Sequence, residues 1–260
     1  MLHDPWFWAA AIPAVIMVGL SKGGLGPLGG LAVPILSLVI SPVTAAGLTL
    51  PIFVMSDVVA VISYRRSFDW PTLKVMLPAG IVGIGVGWLT AAWVSDDVVR
   101  VIVGAVSVLF ALNYWLRGRL RSDPVRPSTP KGLFWGSVSG FTSFVSHSGG
   151  APFQMYVLPL GFAPVVYAGT STIFFACVNA LKLIPYFFLG QFKSANLTAA
   201  AILAPLSIAC ALLAVRLVKV IDQRVFYRLI YVLMFAIGVF LIGQAVMDWA
   251  TPAPPAARPA

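Results

Sequence analysis

Ten apolar stretches, separated by short polar segments, cover most of the chain. An α-helix needs about 20 apolar residues to cross a bilayer, whereas segments of roughly 10–14 are more typical of re-entrant or buried helices. Six stretches have nearly the full length: 43–63, 75–94, 98–116, 165–189, 195–215 and 225–247. Four are shorter and form two adjacent pairs: 6–20 with 28–42, and 132–146 with 151–164. The pattern predicts an all-α integral membrane protein in which each half has a broken helical hairpin followed by three long transmembrane helices.

Composition supports this class, and the distribution of charge adds an orientation. Of the 260 residues, 60% are hydrophobic and 10% are charged, which is typical of a membrane protein. The net charge of +9 would also suit a nucleic-acid-binding protein, but 12 of the 17 lysines and arginines lie in three short segments. They are Arg65, Arg66, Lys74; Arg117, Arg119, Arg121, Arg126, Lys131; and Arg216, Lys219, Arg224, Arg228. Such segments mark the cytoplasmic side, so both termini are predicted outside and no nucleic acid is expected.

The sequence contains an internal repeat. Residues 21–34 align with 146–159, and residues 41–64 align with 163–186. The matched pairs include Ser21/Ser146, Lys22/His147, Gly24/Gly149, Pro27/Pro152, Pro34/Pro159, Pro42/Pro164, Gly47/Gly169, Asp57/Asn179 and Tyr64/Tyr186. Chance similarity is the alternative, because glycine and proline are common in membrane helices.

The repeat predicts two halves of opposite orientation. The run 43–63 ends at a cytoplasmic segment, whereas its counterpart 165–189 starts from one. We therefore expect a first repeat, a basic cytoplasmic linker, a second repeat and a flexible tail: 1–116 with hairpin 6–42, then 117–131, then 132–249 with hairpin 132–164, then 250–260.

The two hairpin tips are the candidate binding site. Inverted repeats with broken segments at matching places are typical of transporters that bind their substrate near the midplane. Helix N-termini attract anions, and Pro27 and Pro152 suit the first turn of a returning helix. The predicted anion ligands are Ser21, Lys22, Gly23, Gly24 and Gly26 at the first tip, and Ser146, His147, Ser148, Gly149 and Gly150 at the second. The alternatives are a snorkelling Lys22 and a hydrogen-bonded packing histidine at 147.

Polar side chains within the long runs extend this site. Asp57 is the one acid inside an apolar run away from its ends, and isolated ionisable groups in membrane segments are by default functional. It could carry a proton, pair with a cation such as Lys182, or shape the cavity together with Asn179. Thr49, Thr170 and Ser171 could add hydroxyl donors, although such hydroxyls often bond their own backbone.

Residues 19–61 carry a glycine-rich hairpin, "SKGGLGPLGG", followed by an Ala-x-x-Thr-like segment that leads to Asp57. This stretch resembles the N-terminal signature of the sulfite exporter TauE/SafE family. The resemblance implies a secondary transporter for small sulfur oxyanions or organosulfonates such as sulfite, sulfoacetate or isethionate, coupled to an ion gradient. It implies a multi-pass protein of the bacterial inner membrane, with lipid around it and no cofactor or metal. The second copy has "SHSGGAP" instead of a glycine-rich tip, which leaves the identity of the substrate open. Whether the protein forms a homodimer is also left open.

Three other classes of function stay open. A carrier for another small anion or an anion channel would share most of these features, and coupling to an ion gradient separates a carrier from a channel. A membrane enzyme would need a serine and a histidine whose side chains face each other, a pair of carboxylates, or residues at a metal-ligand spacing. The sequence shows no such carboxylate pair or spacing, so an enzyme is not predicted.

Overall fold

Helix is the only regular secondary structure among the residues that the computed structural model describes, which are 2, 4–90, 93, 96–116 and 125–250. The α-helices in this part of the chain are α1 (Pro5–Lys22), α2 (Ala32–Leu36), α3 (Pro42–Tyr64), α4 (Trp70–Thr90), α5 (Asp96–Leu116), α6 (Thr129–Ser146), α7 (Gly150–Val157), α8 (Pro164–Phe188), α9 (Ser194–Val220) and α10 (Gln223–Ala250). Two 3-10 helices, Gly26–Leu31 and Leu158–Leu160, lie beside α2 and α7. Most of the predicted linker, 117–124, and the tail after Ala250 lie outside the described residues.

Six helices of the described residues are long and apolar enough to cross a membrane: α1, α3, α4, α8, α9 and α10. The predicted all-α membrane protein is therefore confirmed. One of the six, α1, was expected as a short segment at 6–20 and instead has 18 residues. It begins earlier because the Asp4 carboxylate accepts a hydrogen bond from the Trp6 N–H at 3.0 Å, and it continues through Lys22.

Capping residues also set other helix boundaries. Ser41 precedes α3, and its hydroxyl accepts a hydrogen bond from the Thr44 N–H at 3.3 Å. Asp69 precedes α4 and accepts a hydrogen bond from the Thr72 N–H at 2.8 Å. This cap explains why α4 begins at Trp70, five residues before the apolar run 75–94, so that Lys74 lies in its first turns.

The returning arm of each hairpin is shorter than the apolar pattern predicts. The run 28–42 forms a 3-10 helix, Gly26–Leu31, and the five-residue α2, because glycines at 29 and 30 weaken an α-helix. The run 151–164 forms α7 and a second 3-10 helix. The first tip lies beside the far end of α3, where the Tyr64 hydroxyl donates to the Gly23 carbonyl at 2.6 Å. Both hairpins therefore extend deep into the bundle.

Glycine faces bring the helices of the two halves close together. Gly19 of α1 and Gly23 just after it pack against the backbone of α9, and Gly140 of α6 packs against the carbonyl of Gly80 in α4. Under the proposed repeat α1 corresponds to α6 and α9 corresponds to α4, so the α1–α9 contact has its counterpart in the α4–α6 contact. In the centre, α3 contacts α8, its own counterpart. This arrangement is what an inverted repeat predicts, and the inverted orientation itself stays a prediction. It leaves both hairpin tips against α3 and α8.

Candidate functional site

A cavity lies where the two hairpin tips meet α3 and α8. It has about 490 Å³ of empty space, including its open mouth. The first hairpin, the second hairpin, α3 and α8 all contribute to its wall: Ser21, Lys22, Gly26, Gly29, Gly30; Ser143, His147, Gly150; Phe53; and Ser171, Thr172, Phe175, Asn179. We call this space the charged cavity, because Lys22 and His147 lie in its wall and Asp57 and Lys182 lie directly behind them.

The backbone conformation of each tip fixes where its side chains point. At the first tip, α1 ends at Lys22, and Gly24 takes a φ of 122° that glycine adopts without penalty. At the second tip, His147 ends α6 in the left-handed conformation, with a φ of 54°. No other non-glycine residue among the described ones has a positive φ. A strained residue of this kind persists only where its surroundings hold it, and such residues cluster at functional sites.

Lys22 and Asp57 form a buried ion pair. The Lys22 Nζ lies 2.7 Å from Asp57 Oδ1, and the two residues are only 6% and 3% exposed. The Asn179 Nδ2 donates to the other carboxylate oxygen at 2.8 Å, and the ammonium lies 4.7 Å from the centre of the Phe53 ring. The ammonium therefore points to Asp57 within the bundle, which does not fit a snorkelling lysine. The suggested pairing of Asp57 with Lys182 is wrong, because the end of α1 places Lys22 next to the carboxylate instead.

Lys182 is fully buried beside the second tip. Its Nζ donates to the Ser143 carbonyl at 2.6 Å and lies 3.3 Å from His147 Nδ1. Because an ammonium can only donate, Nδ1 of the histidine accepts, and Nε2 carries the proton toward the Tyr186 hydroxyl at 2.8 Å. This tautomer follows from the hydrogen-bond network and makes His147 a neutral imidazole. A protonated imidazolium at His147 is therefore not the form in this arrangement.

The charge balance around the cavity is uneven. Lys22 and Lys182 supply two cationic groups, whereas among the described residues Asp57 is the one carboxylate within ion-pair distance of either. Burying a charge without a partner is costly, so a surplus cation next to a cavity favours an anion there.

One comparison with known proteins identifies the family. A family model described as Sulfite exporter TauE/SafE matches residues 11–241, nearly the whole chain. The chain belongs to the TauE/SafE family. No curated protein and no solved structure matches it. The family is one of membrane exporters of sulfite, so a small anionic substrate and a bilayer around the helices follow for this TauE/SafE protein, which has the helices of a multi-pass membrane protein.

The TauE/SafE match includes both tips, but only some of the predicted ligands line the charged cavity. Those in its wall are Ser21, Lys22, Gly26, His147, Gly150, Ser171 and Asn179. Asp57 and Lys182 lie directly behind them, where Asp57 pairs with Lys22 and Lys182 lies 3.3 Å from His147 Nδ1. The wall does not include Gly23, Gly24, Ser146, Ser148, Gly149, Thr49 and Thr170.

Local hydrogen bonds explain why these residues stay out of the cavity. The hydroxyls of Thr49 and Thr170 donate to the carbonyls of Ala45 and Val166, both at distances below 3 Å. Ser146 and Ser148 likewise bond nearby carbonyls of their own segment. The two threonine hydroxyls therefore bond their own helices, as hydroxyls in membrane helices often do, and a role of these threonines in the site stays a prediction.

The expected pair of helix N-termini is also different. The first returning arm starts as a 3-10 helix at Gly26, and the second starts as α7 at Gly150, before the predicted start after Ala151. The left-handed His147 turns the chain early, and the new helix begins within three residues. Of the two arms, only the second presents the first turn of an α-helix to the cavity.

Sequence reasoning missed several residues of the wall. Phe53 and Phe175 are related by the same offset as Asp57 and Asn179, so the repeat alignment contained the signal for both. Phe53 stacks on the His147 ring at a centroid distance of 5.7 Å. Ser143 and Thr172 carry no such signal, since they enter the wall only through the way α6 and α8 pack.

Proposed function

We propose that this TauE/SafE protein is a secondary transporter for a small sulfur oxyanion or organosulfonate of the sulfite, sulfoacetate or isethionate type. It works in the bacterial inner membrane, with both termini outside and the linker 117–131 in the cytoplasm. The observation that carries the proposal is the charged cavity, beside which two lysines are buried but only one of them, Lys22, has a carboxylate partner among the described residues.

An oxyanion that leaves water needs charge-assisted donors in return. Lys22 in the wall and Lys182 behind it supply positive charge, and Ser171 and the Asn179 amide add neutral polar groups. The aromatic rings of Phe53 and Phe175 limit the water around the anion. A site of this kind strengthens each charged hydrogen bond because little solvent screens it.

Asp57 acts as an internal competitor for Lys22. Its carboxylate is paired with the ammonium that an incoming anion needs. Binding the anion releases Asp57 toward Asn179, with Lys182 as the next cation on α8, and a proton on the freed carboxylate would remove its buried charge. Substrate and proton are then linked through one lysine, which is how this carrier couples to an ion gradient.

Uptake into proteoliposomes tests the transport proposal. A panel of sulfite, sulfoacetate, isethionate, taurine, thiosulfate and acetate is offered with and without a pH gradient. We expect accumulation of a sulfur anion that depends on the gradient and is lost in Lys22→Ala. The matched control is Lys219→Ala, since Lys219 is exposed at the end of α9. Uptake that runs only down its own concentration gradient would identify a channel, and preference for acetate would identify a carrier of another class.

Cysteine labelling tests the orientation. Cys177 and Cys210 are first replaced by serine, and single cysteines are then placed at Ser128 in the linker and at His3. We expect an impermeant reagent to label His3→Cys from outside and Ser128→Cys only from the cytoplasmic side. Labelling of Ser128→Cys from outside alone would overturn the inverted topology.

A further inference from the structure

We propose that the substrate is an anion with a short unbranched hydrocarbon tail, and that the tail enters a second, apolar chamber next to the charged cavity. This inference rests on the proposed function and narrows its substrate class to alkanesulfonate-like anions. The apolar chamber is lined by Gly30, Val103, Ser107, Ser148, Gly150, Ala151, Met234, Ile237 and Leu241.

Two glycines border both the chamber and the charged cavity. Gly30 and Gly150 belong to the walls of both, one from each hairpin. The space above Gly30 is open, since a Cβ atom built there would meet only the His147 carbonyl oxygen, at 4.0 Å. Because neither glycine has a side chain, the two spaces adjoin where the hairpins approach each other.

The side chains of the chamber offer nothing to a polar group. Its side walls are Val103 of α5 and Met234, Ile237 and Leu241 of α10, all buried. Its two hydroxyls are already used, because Ser107 donates to the Val103 carbonyl at 2.6 Å and Ser148 donates to the Ser146 carbonyl at 3.1 Å. No charged side chain is part of its wall. A hydrocarbon group therefore fits this space, and a hydroxyl or carboxylate there would lose its hydration without a side-chain partner.

The position of the chamber sets which molecule fills it. An anionic head held near Lys22 and His147 lies on one side of the Gly30–Gly150 opening, and the apolar walls lie on the other. A molecule that joins a head group to a tail of about two or three carbons would satisfy both spaces, whereas sulfite would fill only the first.

Binding of a homologous series to the purified full-length protein tests the inference. The probes are sulfite, methanesulfonate, ethanesulfonate, propanesulfonate and isethionate, the last being close in size to propanesulfonate but ending in a hydroxyl. We expect affinity to rise about fourfold with each methylene up to propanesulfonate. Isethionate should bind at least about tenfold more weakly than propanesulfonate, because its hydroxyl is desolvated in the chamber.

Two variants locate the tail. Ile237→Phe fills the chamber, and we expect it to remove the difference in affinity between propanesulfonate and sulfite. Val239→Phe is the matched control, since Val239 lies on the same helix and is 50% exposed. Gly30→Val narrows the opening from the hairpin side and should flatten the same series, which keeps the test available if Ile237→Phe does not fold.

The outcomes separate this inference from the proposed function. An affinity that does not change along the series, equal binding of isethionate and propanesulfonate, or an unchanged series in both folded variants would overturn the chamber while leaving anion transport in place. A wild-type protein that binds none of the five probes would contradict the proposed function and this inference with it.

Discussion

The two hairpin tips occupy matching places in the repeat but hold their charges differently. At the first tip the cation is Lys22 itself, and it pairs with Asp57 of α3. At the second tip the matching residue is the neutral imidazole of His147, and the cation comes from α8 as Lys182. Position 182 corresponds to Ala60 in the first half, so one half carries its lysine on the tip and the other carries it on the long helix.

A tyrosine at the matching position of the repeat contacts each tip. Tyr64 at the end of α3 donates to the Gly23 carbonyl at 2.6 Å, and Tyr186, its repeat partner on α8, lies 2.8 Å from His147 Nε2. The comparison teaches that the support of the tips is shared, whereas the charges are divided unequally. An asymmetric site of this kind can present one compensated and one uncompensated cation to the same cavity.

The largest expected effect comes from removing the charge of Asp57. In Asp57→Asn, Lys22 loses its internal competitor, so anion binding should be retained or tighter while transport driven by a pH gradient is abolished. Binding calorimetry and proteoliposome uptake measure the two quantities. Asp222→Asn is the control, because Asp222 caps α10 and asparagine caps a helix equally well. Unchanged gradient-driven uptake in Asp57→Asn would reduce this carboxylate to a structural role.

Removing the first cation should damage both binding and stability. Lys22→Ala leaves the Asp57 carboxylate buried without its ion pair, and breaking such a pair costs about 3–5 kcal/mol. We expect anion affinity to fall about 30-fold or more and the melting temperature in detergent to drop. The double variant Lys22→Ala/Asp57→Ala should recover the melting temperature without the affinity. Native affinity in a folded Lys22→Ala protein would contradict the anion site.

Removing the second cation should separate these two effects. Lys182→Met leaves no carboxylate without a partner, because Lys182 bonds only Ser143 and His147 among the described residues. We expect anion affinity to fall about tenfold, as for the loss of a charged interaction of about 1.4 kcal/mol, with no drop in the melting temperature. A loss of stability as large as that of Lys22→Ala would show that the two tips are equivalent after all.

The glycines of the two tips should be sensitive for different physical reasons. Gly24→Ala places a side chain on a residue with a φ of 122°, and Gly149→Ala brings a Cβ against the Ser139 carbonyl and the Ser143 side chain. Each should lower the free energy of unfolding by about 1–2 kcal/mol. Gly85→Ala in α4 is the control, since a Cβ there would meet no atom within 4 Å. Thermal unfolding of the three variants distinguishes them, and a neutral Gly24→Ala would contradict the described tip.

The smallest effect is expected from the two tyrosine hydroxyls. Tyr64→Phe and Tyr186→Phe each remove one buried hydrogen bond to a tip, which is worth about 1 kcal/mol. The melting temperature should fall slightly in both. Only Tyr186→Phe should also alter anion affinity, because it frees the ring that accepts from Lys182. Equal effects of both variants on affinity would argue that His147 does not position the second cation.

Much of the fold could be read from the apolar pattern. Five of the six helices long enough to cross a membrane coincide with predicted runs, because lipid leaves a spanning backbone no partner except its own helix. The run 98–116 is an exception, since α5 is not among these six helices. The other exceptions lie at helix ends: Asp4 extends α1, Asp69 starts α4 early, and Gly29 and Gly30 shorten the first returning arm. Caps and glycines act locally and are weaker signals than a run of 20 apolar residues.

The sequence by itself determined which residues are available to the site: a lysine and a histidine on two matched tips, an aspartate and its asparagine counterpart, and two phenylalanines at the same offset. Tertiary structure alone decided their partners. Asp57 pairs with Lys22 and not with Lys182. His147 Nδ1 accepts a hydrogen bond from Lys182, and Thr49 and Thr170 bond their own helices. The reason is geometric, since a side-chain contact between two helices depends on their crossing point and rotation, and neither is encoded in the spacing of residues along one helix.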